Sequence, residues 1–144
     1  MDDDDNILPL SDEDVLRLAR QYVHARTLAL VHLGCELPGD QRDLRIVQEL
    51  LDRGFIAKNA TYDRECLGVV LGMRLTDAIS GLHWVILGSD STREPVLRFF
   101  ETYAIIFPIG SLSRHVRGDE NVVEMFETLP KFIMELREHL LTVH

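Results

Sequence analysis

At about residue 82 the spacing of the apolar side chains changes from a helical to a strand-like period. Upstream, apolar residues recur every three to four positions in three segments separated by turn residues. Downstream, the segments 83–90, 95–101 and 102–108 are short and rich in β-branched and aromatic residues. Helical spacing then returns. This order predicts an α+β fold, in which three N-terminal helices precede a three-stranded antiparallel meander and C-terminal helices pack on the sheet.

Capping residues mark the predicted helix ends. Ser11, followed by Asp14, predicts the start of a first helix that runs to about Leu33, and Gly34 can adopt the left-handed conformation that stops it. The second and third helices are each predicted to begin at a capping side chain and to end at a glycine: Asp40 to Gly54, and Thr61 to Gly81.

The first predicted helix changes character along its length. In its first half the apolar residues lie on one side: Val15, Leu18, Ala19, Tyr22 and Val23. Its second half is apolar nearly all round, so we expect that half to be buried or to meet a partner. A homodimer formed through this half is one form of such a partner.

Two glycines, Gly68 and Gly72, lie four residues apart on one face of the third predicted helix. Each costs about 1 kcal/mol relative to alanine in a helix interior. A helix that carries both is expected to need the missing side chains, so that another element can approach it closely.

The three predicted strands have one side that we expect to be buried: Trp84, Ile86, Leu97, Phe99, Tyr103, Ile105 and Phe107. Pro108 ends the last strand, and a short helix over 109–118 follows, closed by Gly118. Asn121 is predicted to cap the next helical stretch, whose apolar seam is Phe126, Leu129, Ile133, Leu136 and Leu140. Pro130 should break this stretch, with a helix from there to about Leu141.

The formal net charge of −9 is concentrated at the N-terminus. Residues 1–14 contain seven acids and no base, whereas the rest of the chain has 17 acids against 15 bases. We therefore predict a disordered acidic tail over 1–6 and a single domain over 7–144. A body without a basic surface disfavours nucleic-acid binding. Thirteen of the 15 bases are arginines, a residue suited to structural pairs with carboxylates.

The sequence contains no recognisable catalytic or cofactor motif. No zinc-type His or Cys spacing, nucleophile elbow or glycine-rich phosphate loop occurs, which argues against an enzyme and predicts no metal and no cofactor. Two cysteines, Cys35 and Cys66, are too few for a disulfide framework. The apolar runs are too short to span a bilayer, so we expect a cytoplasmic protein that does not bind membranes.

Residues 107–120 are locally basic in this acidic chain. Arg114, His115 and Arg117 follow Ser111, and Arg98 on the neighbouring strand could join them. If a helix begins after Pro108, the free N–H groups of 109–111 would add a seat for a carboxylate or phosphate. The alternative is that the arginines pair with acids such as those at 119 and 120.

The sequence from about residue 43 to 120 resembles a bacterial domain family of unknown function. The likeness is carried by LRIVQELLDRG (44–54), LGVVLGMRL (67–75), WVIL (84–87), EPVLRF (94–99) and IIFPIGSLSRHVRGDE (105–120). The last block is the most specific, because it reads as a strand, a proline, a short helix with a basic end, and then acids. The resemblance implies one compact α+β unit and implies no activity.

Three functions are compatible with the sequence. The chain could be a non-catalytic protein-binding module, such as an immunity-type protein that neutralises a bacterial toxin, or an adaptor. It could be a sensor of a small anionic ligand that uses the arginine cluster. An enzyme is the least supported, because no catalytic motif is present. Of these, the sequence favours the protein-binding module.

Overall fold

The computed structural model describes residues 6–88, 92–102, 104–114 and 119–128, together with residues 131 and 135. Its elements are, in chain order, β1 (Ile7–Leu8), α1 (Asp12–Leu33), α2 (Arg42–Asp52), α3 (Thr61–Ala78), β2 (Leu82–Gly88), β3 (Arg93–Phe99), β4 (Ile105–Ile106) and α4 (Pro108–Ser113). Residues 122–128 are also helical. The predicted α+β fold is confirmed, with one more strand than the sequence indicated.

The sheet is antiparallel, with the order β1-β2-β3-β4. The three predicted strands form its meander, and β1 adds an edge by pairing Ile7 with Leu87 and Leu8 with Ile86. Two residues are too few to show an alternating pattern, which is why the sequence did not reveal β1. Both edge strands are two residues long, and so short a strand is a poor template for pairing with another chain.

The first helix begins and ends as predicted. The backbone N–H of Asp14 donates to Ser11 Oγ at 3.2 Å, and the backbone N–H of Ser11 donates to Asp14 Oδ2 at 2.8 Å, a reciprocal capping box. Gly34 follows Leu33 with φ of 67°, in the left-handed region.

The predicted N-caps of the second and third helices, Asp40 and Thr61, each lie one residue from the observed ones, whereas the predicted stop of the second helix is correct: Gly54 follows its C-cap Arg53 with φ of 73°. The N-cap residues are Gln41 and Ala60, and neither donates or accepts a side-chain capping bond. Asp40 instead accepts from the backbone N–H and the guanidinium of Arg42. The third helix ends at Ala78, and Gly81 lies in the turn to β2 with φ of 92°.

The two glycines of α3 allow close approach, as the sequence predicted. A Cβ on Gly68 would lie 2.5 Å from the Cα of Ile109 on α4, and one on Gly72 would lie 2.5 Å from Cη2 of Trp84 on β2. Most of α3 is consequently buried, and its residues Leu67, Val70, Leu71 and Leu75 belong to the main core. Gly68 is approached by the backbone of a helix, whereas Gly72 is approached by a side chain of a strand. Only the contact at Gly68 is therefore the helix–helix packing that was predicted.

The predicted buried face of the sheet is correct on β2 and β3 and wrong on β4. Ile86, Leu97 and Phe99 are buried and Trp84 is half-buried, but on β4 the buried residue is Ile106, while Ile105 is half-buried and Phe107 is 37% exposed. The register explains the difference: Ile106 pairs with Leu97 and so shares its face. Tyr103 lies outside the described residues.

Burial at the centre of the sheet is not confined to one face. Val85 and Val96 pair on the opposite side from Ile86 and Leu97, and they are 6% and 0% exposed.

Val122, at the start of the 122–128 helix, enters the main core, and the backbone N–H of Glu124 donates to Asn121 Oδ1 at 2.9 Å, as predicted. Of the helix predicted from Pro130, the described residues Lys131 and Glu135 are both helical. The predictions for Gly118, for Pro130 itself and for the tail over 1–5 fall outside the described residues.

Candidate functional site

The residues predicted to seat an anion at α4 are engaged in local hydrogen bonds. The backbone N–H of Ser111 donates to the carbonyl oxygen of Phe107 at 2.9 Å, and the Ser111 hydroxyl donates to the same oxygen at 2.5 Å. The helix is six residues long, with Pro108 at its first position. Ser111 therefore offers neither its amide nor its hydroxyl proton to a ligand in this conformation.

Two of the predicted site arginines are paired with different carboxylates. Arg114 Nη2 donates to Glu94 Oε1 on β3. Arg98 is held by the turn after β3: its Nε donates to the carbonyl oxygen of Thr102 at 2.8 Å, and its Nη1 lies 3.4 Å from Glu101 Oε2. Positions 94 and 98 are about 13 Å apart along the strand, so these pairings do not bring the two guanidinium groups together. His115 and Arg117 lie outside the described residues.

A cleft of about 770 Å³ lies between α4 and the 122–128 helix. Of the described residues that line it, the charged ones are Arg114, Asp119, Glu120 and Glu124; Arg114 is paired with Glu94 and Glu120 with Arg64, so Asp119 and Glu124 remain as the other charges of this lining. Phe107 and Met125 add apolar wall. The volume suits a small ligand, but the charge of this described lining favours a cation over an anion.

Buried ion pairs account for two arginines that the sequence did not single out. Arg64 Nη2 lies 3.0 Å from Glu120 Oε1, its Nε donates to the carbonyl oxygen of Leu112 at 2.6 Å, and the two side chains are only 3% and 8% exposed. Arg74 Nη1 lies 3.2 Å from Oδ2 of Asp43, which is fully buried. The first pair joins α3 to the segment before the 122–128 helix, with Leu112 of α4 as a further acceptor, and the second pair joins α3 to α2. The arginine richness of the chain is therefore in part structural, as predicted.

Asp43 is further satisfied by two groups from other segments. The backbone N–H of Gly39 donates to Asp43 Oδ1 at 2.9 Å, and the Tyr22 hydroxyl lies 3.4 Å from Asp43 Oδ2. Burial raises the pKa of Tyr22. Because its carboxylate has a cation, an amide and a hydroxyl as neighbours, Asp43 has the bonding that a buried structural charge requires.

The described residues give little indication of a reactive nucleophile or of a metal site. Cys66 is buried, and the loss of solvation raises its thiol pKa to about 12, so the thiol stays protonated. His24 Nε2 lies 2.6 Å from Asp63 Oδ1, a half-exposed pair between α1 and α3. Within the described part of the chain, no three His, Cys, Asp or Glu residues are placed to hold a metal ion. No described helix has the length and apolar character needed to cross a membrane.

The outward side of α1 is a strip of exposed apolar side chains. Leu16, Val23 and Leu30 are 59%, 54% and 57% exposed and recur every seven residues, with the small exposed residues Ala19 and Thr27 between them. We call these five residues the α1 strip. Val15 and Val31, also more than half exposed, flank it.

The α1 strip corrects the predicted orientation of the first helix. Val15, Ala19 and Val23 were expected on the apolar inner side with Leu18, yet they are exposed. The inner side is instead formed by Asp14, Leu18, Gln21, Ala25, Leu28 and Ala29. Two polar residues on the buried side and several aliphatic ones on the outer side reverse the usual pattern, so helical periodicity alone could not orient this helix.

Comparisons with known proteins agree with this architecture. A crystal structure of a protein from Bacteroides thetaiotaomicron VPI-5482 superposes with a TM-score of 0.75 and 19% sequence identity. The match covers 85% of this chain and 46% of that chain, so this chain spans less than half of the Bacteroides protein. At this identity the likeness shows a common fold. No curated protein matches the sequence significantly.

A family model also matches residues 43–126, from Asp43 at the start of α2 to Phe126 in the last described helix. The match includes both buried arginine pairs and both α3 glycines, and it begins after α1. It agrees with the resemblance found in the sequence over about 43–120. The chain is thus a member of DUF3806, a family of domains of unknown function.

Proposed function

We propose that this protein is a non-catalytic protein-binding module and that the α1 strip is its binding surface. The observation that carries the proposal is the exposure of the three large aliphatic side chains of the α1 strip, Leu16, Val23 and Leu30, together with that of Val15 and Val31, which flank it. Contiguous exposed apolar surface of this kind marks an interaction site in soluble proteins.

The energetic argument is that leaving this surface in water is costly. Burying one such side chain completely contributes about 1.5 to 3 kcal/mol. Covering five that are at least half exposed would contribute roughly 4 to 9 kcal/mol before the cost of association. Association itself costs about 4 kcal/mol or more, so this surface alone would give at most a weak complex, and flanking contacts must supply the rest of the affinity.

An immunity-type protein and an adaptor are both forms of this function, since each acts by binding another protein. The alternative, an anion sensor, has less support. Arg98 and Arg114 are paired with Glu101 and Glu94, and the described lining of the cleft is mainly acidic.

Site-specific photo-crosslinking tests the proposal. The full chain is prepared with p-benzoylphenylalanine in place of Val23, in the middle of the α1 strip, and irradiated in extract of the source organism. A matched protein carries the crosslinker in place of Lys58, an exposed residue between α2 and α3. We expect one dominant crosslinked protein at position 23 that is absent at position 58. No protein adduct at position 23, or the same adducts at both positions, would reject the α1 strip as a binding surface.

A further inference from the structure

We infer that the partner presents an acidic amphipathic helix to the α1 strip. This inference rests on the proposed function, and it adds the shape and the charge of the partner. Three features of α1 support it: the spacing of the strip residues, the charges beside them, and the neighbours of those charges.

The spacing of the α1 strip fits a helical partner. Its residues follow one another at intervals of three, four, four and three, from Leu16 to Leu30. At about 100° per residue, all five lie within about 40° of Val23 on the helix surface, along a length of about 21 Å. A narrow straight seam of this kind, with large residues seven apart and small residues between, is the surface that another helix packs against.

The charges beside the strip are positive. No acidic residue occurs between Val15 and Gly34, whereas Arg20 and Arg26 are both exposed. The two arginines lie about 60° to either side of Val23, one on each flank of the seam. Each is therefore placed to meet a residue at the edge of a docked helix, the position that selects partners in helix pairs.

Arg20 and Arg26 differ from the other cations of α1 in their neighbours. Arg17 lies 3.7 Å from Glu65, and His24 lies 2.6 Å from Asp63, both acids of α3. Among the described residues, neither Arg20 nor Arg26 has an ion-pair partner. The two flanks of the seam thus carry positive charge that the rest of the described fold does not neutralise, and glutamate or aspartate on the partner would complement it.

Two other occupants fit this surface less well. A second copy of α1 would bring two more arginines to the strip, and the exposed acids of α1, Asp12 and Glu13, lie in its first turn, before the strip begins at Leu16. A membrane surface is normally met by a face with several lysines or arginines and bulky Trp, Phe or Leu residues. The α1 strip has two uncompensated arginines and is built from Leu, Val, Ala and Thr.

A pair of synthetic peptides tests the inference with the purified full chain. Both are 21-residue helices with the same leucine seam, and the positions flanking the seam are glutamate in one and lysine in the other. Binding is measured by isothermal titration in low salt. We expect the glutamate peptide to bind about tenfold more tightly, since two ion pairs replace two repulsions. The preference should shrink in 1 M salt. The protein as a whole is acidic, so a preference for an acidic peptide would have to arise locally.

Two double variants test whether Arg20 and Arg26 cause the preference for the glutamate peptide. Arg20→Gln with Arg26→Gln should reduce it to within about twofold, because both flanking charges are gone. Arg45→Gln with Lys58→Gln removes the same total charge from exposed positions off the strip and should leave the preference unchanged.

Each other outcome overturns the inference. These are no binding of the glutamate peptide, equal binding of the lysine peptide, binding to phosphatidylglycerol vesicles in place of the glutamate peptide, and crosslinking of Val23 to a second copy of this chain. The proposed function fails separately, because crosslinking at position 23 reports contact with a protein of any shape or charge. A crosslinked partner together with failure of the peptides would keep the binding module and reject the acidic helix.

Discussion

Single residues set how closely the elements of this domain approach one another. Gly68 and Gly72 each leave room for a group that a methyl would strike, the backbone of α4 in one case and the Trp84 ring in the other. Asp14 has a similar local importance at the start of α1, where it completes the capping box and lies 2.6 Å from Arg93 on β3.

Replacing Gly72 should show how tightly Trp84 packs. We expect Gly72→Leu to lower the free energy of unfolding by about 1 to 3 kcal/mol or more, because the added side chain overlaps the indole ring. Ala78→Leu, at the exposed end of the same helix, should change it by less than about 0.5 kcal/mol. Urea unfolding measures both. Equal stability of Gly72→Leu and the wild type would mean that the ring moves away without cost.

Asp14 should contribute to stability in a defined pH range. The Arg93 guanidinium and the Ser11 donors hold the pKa of Asp14 at about 2, against an ordinary value of 3.8. The unfolded chain therefore binds this proton first on acidification. The contribution of the ionised carboxylate is complete above about pH 4 and is lost as the pH falls towards 2.

The Asp14→Asn variant isolates that contribution. We expect it to be less stable than the wild type at pH 7, by about 1 to 3 kcal/mol, and the gap to narrow between about pH 4 and pH 2. Asp12→Asn, which removes an exposed carboxylate from the same turn, is the control. Thermal unfolding across this pH range gives the comparison. A gap that stays constant down to pH 2 would argue against the ionised pair with Arg93.

Helices and strands are joined here by contacts whose partners are far apart in sequence, and this limits what the sequence could reveal. The caps of α1 and the close approach at the α3 glycines were predictable, because each depends on residue types within one segment. The Arg64–Glu120 and Arg74–Asp43 pairs were not, since nothing at one position specifies a partner 56 or 31 residues away. The same reason hid the pairing of Arg114 with Glu94, 20 residues away, whereas the partners of Arg98 lie within four residues of it.

Removing one partner of the Arg74–Asp43 pair should strongly lower the free energy of unfolding. Arg74→Met would leave the fully buried Asp43 without its cation, and we expect a loss of about 3 to 5 kcal/mol. The double variant Arg74→Met with Asp43→Leu should recover part of this loss, because no charge then remains buried. Arg42→Met, which breaks the exposed pair with Asp40, should lower the stability far less than Arg74→Met, because water screens that pair. A loss for Arg74→Met no larger than that for Arg42→Met would show that water reaches Asp43.

At the scale of the whole molecule, the family match covers residues 43–126, and β1 and α1 precede it. Both elements are integrated in the fold: β1 lengthens the sheet, and α1 packs Leu18 against Val69 and Ile109. The fold shared with the Bacteroides protein covers 85% of this chain and so includes part of the region before residue 43. The resemblance located the family match correctly from the sequence, whereas the surface that carries the functional proposal lies before it.

Stepwise truncation should separate the contribution of the acidic tail to stability from that of β1. We expect removal of residues 1–6 to leave the melting temperature within about 2 °C, because that segment has little apolar content. Removal of residues 1–8 also deletes β1 and should lower it by several degrees, as half-buried side chains and ladder hydrogen bonds are lost. Calorimetry at one concentration compares the two. A large loss already at the first truncation would show that the tail is part of the domain.

The two sides of α1 carry different constraints. Its inner residues are committed to the core, while the α1 strip and its two flanking arginines make no described contact on which the fold depends. Substitutions on the outer side should therefore be nearly neutral for folding. If the α1 strip binds a partner as proposed, its specificity can change through these surface positions alone. The outer face of α1 can therefore vary while the core stays unchanged, and this face is the place to redesign the domain as a binder of chosen specificity.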